Sequence, residues 1–353
     1  MKRYYTLFLL LTVVFLQAQP PAGYYNSASG LTGTQLQAAL HDIIDNHIVQ
    51  SYSSLPELFQ QTDRKPNGTV WDMYSDVPGG NPPYVYNFVS TDQCGNYNSE
   101  GDCFNREHSW PKSWFDDQSP MYSDMFHLYP TDGYVNGKRS NYPYGEVGNA
   151  TWTSLNGCKL GSCIFPGYSG TVFEPIDDYK GDFARTYFYM STRYYQEDSG
   201  WPGSDQTTGS QLKPWALAMM KEWNVADPVS QKEIDRNNAV YNIQHNRNPF
   251  IDHPEYVSYI WGGPTGISEH EIYTNLRVYP VPATENCIID YKGYYDANAL
   301  NVSITDMTGR QYTVTYSVSG SEIKINSQEL SRGFYLVTLM QEGKNPAFAR
   351  FVK

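Results

Sequence analysis

Glu107 and His108 set a carboxylate beside an imidazole, and further along the chain Asn136 and Arg139 stand three residues apart. On a helix that spacing puts both on one face. Hydrolysis of a phosphodiester needs a base for the water and a cation against the charge on the phosphate and leaving oxygen. It also needs a group that holds the phosphate. His108 can be the base, because an imidazole titrates near neutrality. Such a base predicts a rate that falls as the pH drops below the ordinary histidine value. Glu107 and Asn136 offer hard oxygen ligands of the kind Mg²⁺ takes while keeping several waters. Mn²⁺ or Ca²⁺ could replace it, with one ion per site. Arg139 can meet a phosphate bidentately. The plain alternative for the Glu-His pair is two polar residues with no chemistry. The plain alternative for His127 is a ring that shapes the turn before Pro130 rather than a substrate contact.

The elements around these residues are legible in part. Leu36, Leu40, Ile43, Ile44 and Ile48 recur at helical spacing and predict a helix over Gly33 to Gln50, with Thr34 able to cap it. Trp71 to Asp102 is rich in Tyr, Gly, Pro and Asn, with a strand-like piece from Tyr84 to Val89. A helix is expected over Asp182 to Tyr195, with Phe183, Tyr187, Tyr189 and Met190 free to pack. Further helices are expected over Gln211 to Trp223 and Pro228 to Gln244. This is an α+β domain with much irregular structure. From Val278 the pattern becomes short strands and turns, at Leu300 to Ile304, Tyr312 to Val318, Glu322 to Ile325 and Phe334 to Met340, with a turn at Thr308-Gly309-Arg310. A small all-β sandwich follows from that pattern.

Composition limits the function classes. The charged fraction is 18%, with 31 tyrosines, which suits an extracellular, loop-rich protein. The net charge of −12 argues against coating nucleic acid by charge alone, yet leaves room for an enzyme that grips a few phosphates locally. Lys2 and Arg3, the apolar run from Tyr4 to Leu16, and Ala18 before Gln19 read as a cleaved signal peptide over residues 1–18. No other stretch is long and apolar enough to span a bilayer. Export allows disulfides. Cys94 and Cys103 lie close together, as do Cys158 and Cys163, and each pair flanks a Gly/Asn-rich stretch, so two local disulfides are expected. A zinc site from these four is disfavoured, since neither pair has the C-x-x-C spacing. Cys287 is left over.

Several ordered motifs carry a resemblance. Arg106-Glu107-His108-Ser109-Trp110-Pro111 and Asp124-Met125-Phe126-His127-Leu128-Tyr129-Pro130 are followed by Val135-Asn136-Gly137-Lys138-Arg139-Ser140-Asn141. Ala184 to Met190 and Asn246 to Pro254 continue the series. Over residues 25 to 262 the chain resembles the endonuclease I family of periplasmic and secreted bacterial nucleases. The resemblance implies a ββα-metal (His-Me finger) core in a mixed, largely helical domain. It implies His108 as general base, Glu107 and Asn136 as ligands of one divalent ion, and cleavage of DNA, and RNA as well, to 5′-phosphate ends with little sequence preference. Two departures stand out. Phe126 replaces a polar residue that relatives carry before His127, and no phosphate-binding arginine occurs between Phe115 and Tyr122. The phosphate grip then falls to Arg106, Lys138 or Arg139. Arg185 and the Asn246 motif read better as internal partners than as substrate ligands.

The C-terminal stretch is similar to the sorting domain of the type IX secretion system. The similarity rests on Val278 to Ala283, Ile304 to Arg310, Ser331 to Tyr335 and the final Phe351-Val352-Lys353. It implies export through that machinery; a carbohydrate- or surface-binding sandwich is the alternative. The expected organisation is a nuclease domain over 19–265, a linker over 266–277 and the sorting domain over 278–353. Two rival functions stand beside a secreted nuclease. One is a metal-dependent phosphoesterase for a smaller substrate. The other is an inactive nuclease-like surface protein, which the retained Glu107, His108 and Asn136 argue against.

Overall fold

A computed structural model describes residues 20–262, 276–291, 296, 300–306, 310–328, 330–341 and 347–353. The expected signal peptide, most of the expected linker, and Thr308 and Gly309 of the expected turn lie outside the described residues. The chain divides into two compact units, one up to Gly266 and one from Ile267.

In the first unit, helix α1 (Gly33–Ile44) buries Leu36, Leu40 and Ile44. It stops short of Gln50 because Asp45 is extended and Asn46 turns left-handed with φ of 50°. Ile48, counted above as a core position, is therefore exposed. Helix α2 (Leu55–Thr62) follows. Tyr84 to Val89 joins no sheet; Tyr86 alone is buried there, its carbonyl accepting from the Val70 N–H at 2.8 Å. Strand β1 (Phe104–His108) pairs antiparallel with β2 (Leu128–Asp132), matching Glu107 with Tyr129 and His108 with Leu128. Helix α3 (Gly133–Arg139) leaves β2 directly.

Strands β3 (Val147–Thr153), β4 (Lys159–Cys163) and β5 (Thr171–Glu174) form a three-stranded sheet. This sheet corrects one expected disulfide. Cys158 and Cys163 are both free and buried, Cys158 just before β4 and Cys163 at its far end. Five residues of extended chain span roughly 16 Å, whereas a disulfide joins Cα atoms no more than about 7 Å apart. Burial also pushes the Cys158 thiol up to about 12. Cys94 and Cys103 do form a disulfide. Non-reducing peptide mapping of secreted protein should recover that crosslink with Cys158 and Cys163 as thiols; a Cys158–Cys163 peptide would contradict the strand.

Helix α4 (Lys180–Arg193) is buried at every residue, which is why it shows no single apolar stripe. Its buried arginine finds a partner inside: the Arg185 guanidinium meets Glu233 at 2.5 and 2.9 Å, as an internal partner should. The helix expected to begin at Gln211 begins later. Residues β6 (Thr207–Thr208) and β7 (Gln211–Leu212) make a short ribbon, and α5 (Pro214–Ala226) starts at its proline, which tolerates only the first turn. Helix α6 (Gln231–Gln244) opens with a capping box from Ser230 and Glu233. Short helices α7 (Pro249–Asp252) and α8 (Tyr256–Trp261) close the unit. The Asn246 motif is structural as expected: Arg247 pairs with Asp252 at 2.6 Å, and the Asn246 amide donates to the Tyr189 hydroxyl at 2.8 Å.

The second unit is all β. Strands β8 (Arg277–Tyr279), β9 (Asn286–Asp290), β10 (Asn301–Asp306), β11 (Gln311–Tyr312), β12 (Tyr316–Ser319), β13 (Glu322–Asn326), β14 (Phe334–Met340) and β15 (Ala347–Val352) form two four-stranded sheets. Their orders are 11-10-14-15 and 12-13-9-8. Burial alternates along β13 and β14, placing Ile323, Ile325, Val337 and Leu339 in one core with Ile289, Ile304 and Phe351.

Candidate active site

The two-residue period of β1 sorts its polar residues between two faces. Asn105 and Glu107 face α3; Arg106 and His108 face away from it. On the first face the Asn136 amide nitrogen donates to Asn105 Oδ1 at 2.7 Å, and Arg139 Nη1 donates to Glu107 Oε1 at 2.9 Å. The Tyr74 hydroxyl donates to the same Oε1 at 2.8 Å. Glu107 is 2% exposed. Burial pushes its carboxyl up to about 7, against the Arg139 guanidinium and the Tyr74 hydroxyl, which favour the anion.

Helix α3 is held firmly. Asp132 caps it, accepting from Val135 N at 2.8 Å, and also accepts from the Tyr86 hydroxyl at 2.6 Å and from Gly101 N at 2.8 Å. Asp72 in turn accepts from Asp132 N at 2.9 Å. The Tyr97 ring, in the loop closed by the Cys94–Cys103 disulfide, lies against α3 where two glycines leave room. A Cβ on Gly133 or on Gly137 would come within 2.6 Å of that ring or its hydroxyl.

On the second face His108 Nε2 lies 3.1 Å from the Tyr122 carbonyl oxygen. A carbonyl only accepts, so Nε2 carries the proton and Nδ1 keeps the lone pair. The ring stacks on Tyr52, with centroids 5.7 Å apart and planes at 17°, and packs beside Tyr122 and His127. Burial lowers the His108 pKa to about 3; the neighbouring His127, Lys112 and Arg106 push the same way, while the Tyr122 carbonyl opposes them. The ring is thus neutral far below the ordinary histidine value, and an acid limb near that value would not report His108. A ¹⁵N NMR titration of metal-free protein should find the Nε2–H tautomer and no His108 protonation down to about pH 5. A protonated ring at pH 6 would contradict this environment.

The remaining basic candidates separate by burial. Arg139 is fully buried, donating to the Glu107 carboxylate and to the carbonyls of His108 and Ser109, with its guanidinium 4.6 Å from the Tyr144 ring centre. It therefore clamps the end of β1, and the expectation of a phosphate contact is corrected. His127 is fully buried with Nε2 2.7 Å from the Met121 carbonyl oxygen, so it shapes the turn and does not meet substrate. Arg106 remains half-buried, stacked 4.0 Å over Tyr52 and donating to the Tyr52 carbonyl at 3.0 Å. Lys138 is half-buried over Tyr134 at 5.1 Å. Sequence reasoning missed Tyr52, Tyr122 and the exposed Lys112 beside the imidazole, and Tyr74 and Asn105, which bond to Glu107 and Asn136. The alternation along β1 was the available signal for Asn105; nothing local marked the others.

Residues 32–255 match the family model for endonuclease I, and residues 277–352 match that for a secretion system C-terminal sorting domain. The chain is 38% identical over 245 residues to an extracellular ribonuclease of Bacillus amyloliquefaciens, an alignment covering 67% of this chain and 78% of the relative. It is 36% identical over 248 residues to an extracellular ribonuclease of Bacillus subtilis, with the same coverage. It is 27% identical over 137 residues to an extracellular deoxyribonuclease of Aeromonas hydrophila, covering 39% of this chain and 52% of the relative. Among the described residues no helix is long and apolar enough to cross a membrane. The chain belongs to the endonuclease I family and is a secreted nuclease.

Proposed function

We propose that this nuclease is divalent-metal-dependent and cuts both RNA and DNA with little sequence preference, leaving 5′-phosphate and 3′-hydroxyl ends. The observation that carries the reading is the His108 tautomer: a neutral imidazole pinned through Nε2, with Nδ1 kept as the proton acceptor. In this reading β1, β2 and α3 are the ββα-metal core. Nδ1 of His108 takes the proton from the attacking water. Arg106 and Lys112, the cations beside that ring, steady the phosphate, with Lys138 further along α3.

Glu107 and Asn136 fit a divalent ion by their chemistry. Both are oxygen donors, as Mg²⁺ requires, and Mn²⁺ or Ca²⁺ would fit the same pair. The bonds from Tyr74 and Arg139 both fall on Glu107 Oε1, so Oε2 is the oxygen that would serve a cation. The bond from the Asn136 nitrogen to Asn105 turns the Asn136 oxygen the other way. When bound, the ion would offset the charge on the phosphate and the leaving 3′ oxygen. Since the Glu107 carboxyl must lose its proton to ligate, apparent Mg²⁺ affinity is expected to fall about tenfold per pH unit below about pH 7. Calorimetry at several pH values measures this, and a flat affinity would contradict it.

Export through the type IX machinery by the C-terminal sandwich is part of the same proposal, supported by the sorting-domain match. The test of activity is direct. Purified protein is incubated with plasmid, single-stranded DNA and RNA, with Mg²⁺ or with EDTA, and the product ends are labelled. Loss of all three substrates only with Mg²⁺, with 5′-phosphate ends, is the expected result. Undiminished cleavage in EDTA, or 3′-phosphate ends, would overturn it.

A further inference from the structure

A second group of metal-type donors lies on other elements, away from β1 and α3. His41 and Asp45 stand four apart at the end of α1, and Glu197 follows the end of α4. An imidazole nitrogen and two carboxylate oxygens there all lie within 4.8 Å of one another. His41 Nε2 is 3.4 Å from a Glu197 oxygen. Its Nδ1 is 3.0 Å from the Arg193 carbonyl oxygen, which can only accept. The Nδ1 proton is therefore fixed, and the Nε2 lone pair is turned toward the carboxylates. A ring nitrogen held by a backbone carbonyl while the other faces outward is how proteins orient a metal-binding histidine.

The local field points the same way. The Gln37 amide donates to the Ser191 carbonyl at 3.1 Å, so α1 lies along the last turns of α4. The C-terminal ends of both helices meet at the cluster, and each carries partial negative charge. Arg193 supplies one positive charge, donating to Glu197 at 3.0 Å, against two carboxylates. An ordinary His–Glu ion pair would account for the 3.4 Å approach but not for Asp45 beside it. His41 is 15% exposed and Glu197 40%, so an ion can enter from solvent without opening the core.

We propose that His41, Asp45 and Glu197 form a second cation site, for a zinc-class divalent ion, that staples the end of α1 to the chain beyond α4. The imidazole sets the class: nitrogen ligands suit Zn²⁺ and its neighbours, whereas Mg²⁺ takes oxygen. Binding only the folded chain, the ion raises stability by mass action and takes no part in cleavage.

The test uses the whole secreted protein and ZnCl₂ alone as the probe. Equilibrium dialysis with metal analysis is run on a Glu107→Ala protein, whose candidate active site is disabled, and on the same protein carrying Asp45→Asn and Glu197→Gln. Both substitutions in the second protein are conservative and lie outside the buried core; because Glu107→Ala leaves the buried Arg139 without its carboxylate, circular dichroism verifies the fold of both proteins. The first protein should bind about one Zn²⁺ and gain thermal stability with it. The second should bind at least about tenfold more weakly, the scale on which altered ligand shells cost affinity, and lose that gain. Separately, Glu197→Gln with Glu107 intact should keep wild-type cleavage in Mg²⁺. No zinc bound by the Glu107→Ala protein at micromolar free metal, or equal affinity in both proteins, would overturn the site.

Discussion

His108→Ala is expected to lower the rate of nucleic-acid cleavage by about 10²–10⁴-fold, the range over which a positioned general base contributes. The ring is neutral, its tautomer is fixed by the Tyr122 carbonyl, and Tyr52 stacks on its face, so no rotation is needed before it accepts a proton. A second histidine cannot substitute, since His127 is fully buried with Nε2 tied to the Met121 carbonyl. Single-turnover cleavage of a labelled oligonucleotide gives the chemical step without product release. Loss of less than tenfold would remove His108 from the reaction and leave its neutral tautomer as a packing feature. His108→Gln should be as slow as the alanine variant, because an amide nitrogen can donate but cannot take a proton.

Arg139→Met should be the most destabilising single change in the site. The guanidinium is fully buried and joins Glu107, two carbonyls at the end of β1, and the Tyr187 hydroxyl at 3.3 Å. Removing one partner of a buried ion pair strands the other charge and costs about 3–5 kcal/mol. For a domain of this size that is a fall in Tm on the order of 10 °C. Thermal unfolding measures it. An unchanged Tm with weakened substrate binding is what a phosphate-gripping arginine would give, and it would restore the assignment that the burial of Arg139 overturned. Arg106→Ala should show that second pattern instead, because its guanidinium is only half-buried beside His108.

The contrast between those two arginines shows where sequence reading stopped. The i,i+3 spacing correctly put Asn136 and Arg139 on one face of α3, but spacing does not say whether that face meets water or β1. The period of β1 would have paired Glu107 with that face, and an arginine facing a carboxylate in a core is its partner before it is a phosphate contact. Glu107, His108 and Asn136 could be singled out as candidates because they fall in two ordered motifs, Arg106 to Pro111 and Val135 to Asn141. Tyr52 and Tyr122 were not, since they reach His108 from a loop before α2 and from the long connection between β1 and β2. Cys158 and Cys163 misled because Gly161 and Ser162 look like a loop, yet they lie within a strand. Gly161 tolerates the crowding there: a Cβ on it would sit 2.2 Å from the Asn149 carbonyl oxygen. In the C-terminal sandwich the alternation at Phe334 to Met340 matched the strand to the residue, because period two is unambiguous when one face is buried.

The division of labour between base and metal ligands is the centre of this account, and Mg²⁺ binding by calorimetry tests it most directly. Wild type, His108→Ala and Glu107→Gln are titrated at about pH 8, where a carboxyl raised to about 7 is ionised. His108→Ala should bind Mg²⁺ as wild type does although it no longer cleaves, and Glu107→Gln should lose at least about tenfold in affinity. If His108→Ala loses the metal, or Glu107→Gln keeps it, the roles assigned to the two adjacent residues are wrong.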